Sequence, residues 1–173
     1  EKAKEIVKNF YGEDKIDNIE SHGYSENAEI PSFDFNVKMK EGDINATISV
    51  SKKGGHVIFA NCNRAVSAET LTQERADEIA KEFLNNHDYS NMKETYYLKQ
   101  NGIVTINYAY TQTNSNNETV TIYPDLIKVK VALDDGSVLG IETSGYLNSH
   151  TERTFETNII SKEKAKEVLN KDL

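Results

Sequence analysis

The stretch IKVKVALDDGSVLGI, residues 127–141, decides the fold class of this chain. Its apolar side chains at Ile127, Val129 and Val131 alternate with lysines, which is the two-residue period of a strand with one buried face. Asp135-Gly136 is typical of a tight hairpin turn, and apolar residues resume after it. The stretch therefore predicts an antiparallel hairpin with one face against a core and the other in water.

The same plan extends upstream and recurs in the first half of the chain. Residues 104–110 alternate in the same way, and the turn-forming cluster at 114–117 follows them. In the first half, residues 33–39 and 44–50 alternate, and Gly54-Gly55 then leads into a further apolar run. Each half therefore predicts a meander of about four antiparallel strands.

A helical pattern precedes each meander. Apolar residues take the spacing i, i+3, i+4, i+7 of one helix face at residues 3–11 and again at 76–84. Residues 165–173 begin with the same spacing, and Thr72 and Ser161 precede the second and third segments as side-chain caps. We therefore predict an α+β fold of tandem units, each an N-terminal helix packed on a roughly four-stranded antiparallel sheet.

The offsets between the repeated segments divide the chain. We place the first unit at residues 1–66 and the second at 67–150, the second being longer through loop insertions, which cost little. Residues 151–173 are then a linker and the opening helix of a truncated third unit. The first helix begins at once, without an N-cap residue, so we expect a piece of a longer protein whose export signal or anchor lies upstream.

Charge and hydropathy exclude two classes of protein. The net charge is −8 over 173 residues, whereas a nucleic-acid-binding protein needs a basic face. Residues 67–150 hold 6 Lys and Arg against 12 Asp and Glu, so a protein partner of this part is expected to be neutral or basic. No window approaches about 18 consecutive apolar residues, so nothing in the chain is predicted to span a membrane.

No arrangement of residues typical of an enzyme is found in the sequence. His22, His56, His87 and His150 form no paired metal-binding motif, and His87 follows the second helix, where it can act as a cap. Cys62 has no known cysteine-enzyme signature around it and is interpreted as a structural thiol. The sequence therefore predicts no catalytic, metal-binding or cofactor-binding residue.

Tyrosine is unusually frequent in the second half, where seven of the nine lie between Tyr89 and Tyr146. Preference of tyrosine for strands explains this enrichment, and an aromatic binding face is the alternative. Alternation predicts that Tyr96 and Tyr97 point to opposite faces of their strand. Tyr96, Tyr97 and Tyr123 are therefore the candidate partner-binding surface.

The run YPDLIKVKVALDDG at residues 123–136 resembles the second PepSY unit of the YpeB family of spore germination proteins, and so do Leu139-Gly140, the run GYLN at 145–148 and His150. The resemblance implies PepSY repeats outside the cytoplasm, on the inner-membrane and cortex side of the spore, attached to the membrane only through an upstream anchor. It also implies a partner, the cortex-lytic cell-wall hydrolase SleB or a similar enzyme. No catalytic motif defines the family, so no catalytic residue is carried over.

Three functional hypotheses follow. The first is a non-catalytic regulatory module that stabilises, localises or restrains a cortex-lytic hydrolase during sporulation and germination. The second is an inhibitory module like the PepSY units that the resemblance places in metallopeptidase propeptides. The third is a peptidoglycan hydrolase, which requires a cleft with converging carboxylates.

Overall fold

The structure, a computed structural model, describes residues 1–155 and 161–169. The helices of these residues are α1 (Lys2–Tyr11), α2 (Gln73–Asn86), α3 (Ser144–Ser149) and α4 (Lys162–Val168), with a single 3₁₀ turn at Glu13–Lys15. The strands are β1 (Ile16–Ser25), β2 (Ser32–Met39), β3 (Asn45–Ser51), β4 (Val57–Cys62), β5 (Met92–Gln100), β6 (Ile103–Thr113), β7 (Thr119–Ala132) and β8 (Val138–Glu142).

Each half of the chain is a helix followed by a four-stranded meander, α1 before β1–β4 and α2 before β5–β8. The two meanders form one antiparallel sheet of eight strands in the order β1-β2-β3-β4-β8-β7-β6-β5. The α+β prediction, a helix and about four antiparallel strands in each unit, is confirmed. The last strand of one half pairs with the last strand of the other, which leaves β1 and β5, the first strands, at the outer edges.

A glycine makes the junction between β4 and β8 possible. Ala60 pairs with Ile141 and Asn61 pairs with Gly140. A Cβ atom on Gly140 would lie 2.6 Å from the carbonyl oxygen of Ala60, so a side chain there would force the strands apart. Lys130 reaches across from β7, and its Nζ donates to Asn61 Oδ1 over 2.8 Å. The two halves are therefore joined by backbone pairing and by a side-chain hydrogen bond.

Both helices pack on the same face of the sheet. The rings of Phe10 on α1 and Phe83 on α2 meet edge to face, with centroids 5.9 Å apart. Val7 and Leu84 are buried beneath them, and the predicted inward residues of β7 are fully buried as well. Apolar residues of both halves thus share a single core, and the opposite face of the sheet carries the polar alternate residues.

The side-chain caps are confirmed. Thr72 Oγ1 accepts from the backbone N–H of Arg75 over 3.2 Å at the start of α2, and Ser161 Oγ accepts from Lys164 over 3.2 Å at the start of α4. Helix α2 begins at Gln73, three residues before its first predicted apolar position, because polar residues fill its first turn.

Two elements were not expected from the sequence. Strand β1 has only one buried side chain, Ile16, so its residues lack the apolar alternation of the inner strands. Helix α3 is too short to show a helical period. The exposed fractions of Val168 and Leu169 at the end of α4 are 68% and 61%, and Leu173 lies outside the described residues. The boundaries at residues 66 and 150 and the third unit stay predictions.

Candidate partner-binding surface

Among the strands of residues 1–155 and 161–169, β5 forms one outer edge of the sheet and pairs with β6 alone. An edge strand carries a row of backbone N–H and C=O groups without a neighbouring strand. The strand follows α2 directly through a short turn, so the packing of α2 on the core fixes its position.

Three consecutive side chains of β5 are exposed, with exposed fractions of 60% for Tyr96, 42% for Tyr97 and 52% for Leu98. Tyr97 pairs with Ile106, whose side chain is in the core, and Tyr96 pairs with Asn107 on the open face. Tyr96 and Tyr97 therefore point to opposite faces, as predicted. Leu98 shares the open face with Tyr96, so apolar side chains flank this edge on both sides.

A β-bulge at Thr95 sets the direction of these side chains. Glu94 pairs with Tyr108 and Tyr96 pairs with Asn107, so Thr95 is an extra residue in β5. The hydroxyl of Thr95 donates to the carbonyl oxygen of Asn107 over 3.2 Å. The bulge directs Tyr96 to the face opposite Glu94, a reversal that simple alternation does not predict.

Tyr123 does not join this group. It lies in a bulge of β7 beside Ile122, which pairs with Tyr110 of β6, whereas Tyr96 pairs with Asn107. Tyr123 is thus displaced by two strands and three residues from Tyr96, roughly 10 Å in each direction at standard strand spacings. Its exposed fraction is 66%. The structure brings Tyr96 and Tyr97 together and separates Tyr123 from them.

The bulge of β7 that holds Tyr123 also holds Asp125, the centre of a charge cluster that the sequence did not indicate. Asp125 is fully buried, and Arg153 donates to its two oxygens over 2.7 Å each. His150 Nδ1 lies 2.8 Å from the same carboxylate, and its ring stacks on Tyr146 with centroids 4.2 Å apart. The sequence held one signal for this cluster, an aspartate placed between Tyr123-Pro124 and the start of an apolar strand pattern. The cluster holds the segment after α3 against β7.

The environment of Asp125 lowers its pKa. Burial is the largest single influence and raises the pKa of this carboxyl, but the hydrogen bonds and charges of Arg153 and His150 together outweigh it. Asp125 is therefore ionised at neutral pH and is bonded to the Arg153 guanidinium and the His150 ring of the same chain.

The other sequence-predicted residues lie apart from β5. His87 caps α2: its Nδ1 donates to the carbonyl oxygen of Phe83 over 2.8 Å. Together with His56, Ile6 and Phe10 it lines a cleft of about 370 Å³ between the ends of α1 and α2.

His22 lies near Asn36 on the outer strands, with 3.4 Å between His22 Nδ1 and Asn36 Nδ2. Cys62 ends β4 and is partly buried. Over residues 1–155 and 161–169, no three histidine, cysteine or acidic side chains converge as metal ligands would. In the same residues no helix has the length and apolar character needed to cross a membrane.

A helix followed by a four-stranded antiparallel meander, occurring twice and sharing one sheet, defines a tandem PepSY protein. The family model described as "YpeB sporulation, PepSY1 and PepSY2 domains" matches residues 1–156. This chain belongs to the YpeB sporulation family, as the resemblance implied.

Two curated relatives carry the description "Sporulation protein YpeB". The protein of Halalkalibacterium halodurans is 32% identical over 123 residues, which is 71% of this chain and 26% of that protein. The protein of Bacillus subtilis is 28% identical over 180 residues, which is 100% of this chain and 38% of that protein. The chain thus matches well under half of the length of either relative.

A solved structure, the "Bacillus megaterium YpeB C-terminal domain", has the same fold. The TM-score is 0.79 at 24% sequence identity, and the superposition covers 98% of this chain and 73% of that one.

Proposed function

We propose that this chain is a non-catalytic binding and regulatory module that stabilises, localises or restrains a cortex-lytic cell-wall hydrolase of the SleB type during sporulation and germination. In the proposal, the parent protein holds the module on the outer side of the spore inner membrane, facing the cortex. Membership of the YpeB sporulation family is consistent with this role.

The observation that carries the proposal is the run of three exposed apolar residues on the β5 edge, Tyr96 to Leu98. Aromatic residues are enriched where protein partners bind, and here two of them lie next to each other on an edge strand. We propose Tyr96 and Tyr97 as part of the partner-binding surface. Tyr123, which the sequence also indicated, lies apart from this edge, and we leave it out of the proposed surface.

The bonding of three acidic side chains supports a structural rather than a catalytic role for them. Asp125 is held by Arg153 and His150, as described above. Asp134 accepts from both terminal nitrogens of Arg64 over 2.8 and 2.9 Å, and these bonds hold the pKa of Asp134 well below its ordinary value. Asp77 accepts from the buried hydroxyl of Tyr108 over 2.6 Å.

A binding and activity assay with a purified cortex-lytic hydrolase of the SleB type tests the proposal. We expect the immobilised chain to retain the hydrolase, and the bound hydrolase to release muropeptides from cortex peptidoglycan more slowly or to resist proteolysis for longer. Acid-unfolded chain, immobilised at the same density, is the control for retention by an unfolded polypeptide.

Three results contradict the proposal. The first is a hydrolase that passes over the folded chain without retention. The second is muropeptide release by the chain alone, which would make it a hydrolase itself. The third is inhibition of a metallopeptidase without any effect on the cortex-lytic enzyme, which would favour a propeptide-like inhibitor.

A further inference from the structure

The register of β5 shows which of its backbone groups point away from the sheet. Thr111 N donates to Asn91 O, and Leu133 N donates to Gly102 O on the other side of β6. Odd-numbered residues of β6 therefore direct their backbone groups toward β5, and even-numbered ones toward β7.

The residues of β5 that pair with these odd-numbered positions after the bulge are Tyr96, Leu98 and Gln100. The intervening residues, Tyr97 and Lys99, direct their N–H and C=O groups outward from the sheet. Tyr97 and Lys99 thus offer two N–H donors and two C=O acceptors, two residues apart along the strand. An added β-strand pairs with groups in this arrangement.

The side chains beside these groups define what fits there. Tyr96 and Leu98 are two residues apart on the open face, and Tyr97 flanks the edge on the helix face. A strand laid along the edge would place two of its side chains opposite Tyr96 and Leu98. Cross-strand pairs of aromatic and β-branched residues are favourable, so an extended segment with such residues at i and i+2 is complementary.

The opposite edge of the sheet has a different character. Strand β1 has two register shifts, between Ile16 and Asn18 and between Ser21 and Gly23, which interrupt its edge. Its one large exposed ring, Tyr24, lies against Phe33 with centroids 5.0 Å apart and beneath the Lys52 ammonium. Of the two edges formed by the described strands, the β5 edge combines an uninterrupted run after its bulge with exposed apolar side chains, and the β1 edge does not.

We propose that β5 is a strand-addition site, in which an extended segment of the partner hydrolase pairs with the outward groups of Tyr97 and Lys99. The inference rests on the proposed function and adds the mode of binding. Charge favours such a partner over a second copy of this chain, because residues 67–150 hold 12 acidic against 6 basic residues, and like copies repel. The segment carries apolar residues at i and i+2, opposite Tyr96 and Leu98.

Hydrogen exchange followed residue by residue, on the chain alone and with the hydrolase bound, tests the geometry directly. The amides of Tyr97 and Lys99 should exchange rapidly in the unbound chain and slowly in the complex. The amide of Leu98 bonds to β6 and should be protected in both states, so it is the internal control.

Two variants and one matched control test the same contact by affinity. Tyr97→Pro removes one outward N–H, and proline is tolerated on an edge strand when its N–H side faces solvent. Loss of one hydrogen bond and one aromatic contact should weaken binding about tenfold. Tyr96→Lys keeps the backbone and places a charge opposite the apolar segment, with a similar loss expected. Tyr123→Lys makes the same change at an equally exposed site away from the edge and should leave affinity unchanged.

The outcomes separate this inference from the proposed function. Retention of the hydrolase with unchanged exchange at Tyr97 and Lys99, or equal losses for Tyr96→Lys and Tyr123→Lys, overturns strand addition and leaves the proposed function in place. No retention by the unaltered chain overturns both. If Tyr97→Pro fails to fold by circular dichroism, Tyr96→Lys and the exchange data decide. Concentration-dependent protection at β5 without hydrolase would show a second copy as the occupant and also overturn the inference.

Discussion

At the scale of single residues, Asp125 is the fully buried charge among the residues that the structure describes. Burying an ion is costly, and removing one partner of a buried pair leaves the remaining charge uncompensated. Bidentate contact with Arg153 and the bond to His150 offset this cost and join two separate parts of the fold. Asp125 therefore acts as a structural clamp between β7 and the segment that follows α3.

Asp125→Asn should destabilise the chain by about 2–3 kcal/mol. The loss is smaller than for a completely enclosed pair, because the exposed fraction of the Arg153 side chain is 27%. Urea unfolding at pH 7 measures the change. Asp17→Asn is the matched control, since Asp17 is half exposed and 3.5 Å from Lys38, and such surface pairs contribute little. Equal effects of the two substitutions would contradict the clamp.

The same clamp makes stability depend on acidity. The pKa of Asp125 in the fold lies below its ordinary value of 3.8. Its contribution is therefore complete above about pH 4 and is lost as the pH falls through the lowered pKa. Asp125→Asn should make the free energy of unfolding less dependent on pH in this acidic range. An unchanged acid profile would show that another carboxyl is responsible.

At the scale of elements, the side-chain caps of α2 and α4 are chemically alike, but the two helices differ in how far they are buried. Helix α2 buries Ala76, Ala80 and Leu84 in the core, whereas α4 has no buried residue. Thr72→Ala should lower the free energy of unfolding by about 1 kcal/mol, the usual cost of losing such a cap. Ser161→Ala should leave it unchanged, and only fraying of α4 should increase. Chemical denaturation of both variants measures this, and equal losses would mean that α4 is packed on the core.

The sequence predicted those elements whose stability is visible in local patterns. Strands β2, β3, β6 and β7 alternate clearly because one face of each is buried. Strand β1 was missed because an edge strand exposes both faces, and α3 was missed because contacts distant in sequence hold it. The alternation around Tyr96 and Tyr97 was sufficient to place them on opposite faces. The bulge at Thr95 has no such local pattern.

At the scale of the whole molecule, the pairing of β4 with β8 could not be predicted, because it joins residues about 80 positions apart and either strand pattern fits several neighbours. The position of β5 at the sheet edge follows from this pairing. The sequence could therefore indicate Tyr96 and Tyr97 as candidates, but it could not show that they lie on an edge strand. The shared core and junction make the two meanders dependent on each other.

We expect residues 1–155 to unfold in a single calorimetric transition, with a ratio of calorimetric to van't Hoff enthalpy near 1. Gly140→Val should lower the midpoint by on the order of 5 °C, since overpacking costs roughly 1–3 kcal/mol. Two transitions in the unaltered chain would mean that the halves are energetically independent.

Joining the repeats through their final strands also makes their association self-limiting. The first repeat pairs its β4 edge with the β8 edge of the second repeat. Neither edge is then free to pair with a further copy. A further repeat cannot lengthen the array by the same contact and must meet the pair through a differently built surface. Two repeats therefore complete this type of contact. A strand added to the sheet has to pair with β1 or β5, the first strand of a repeat.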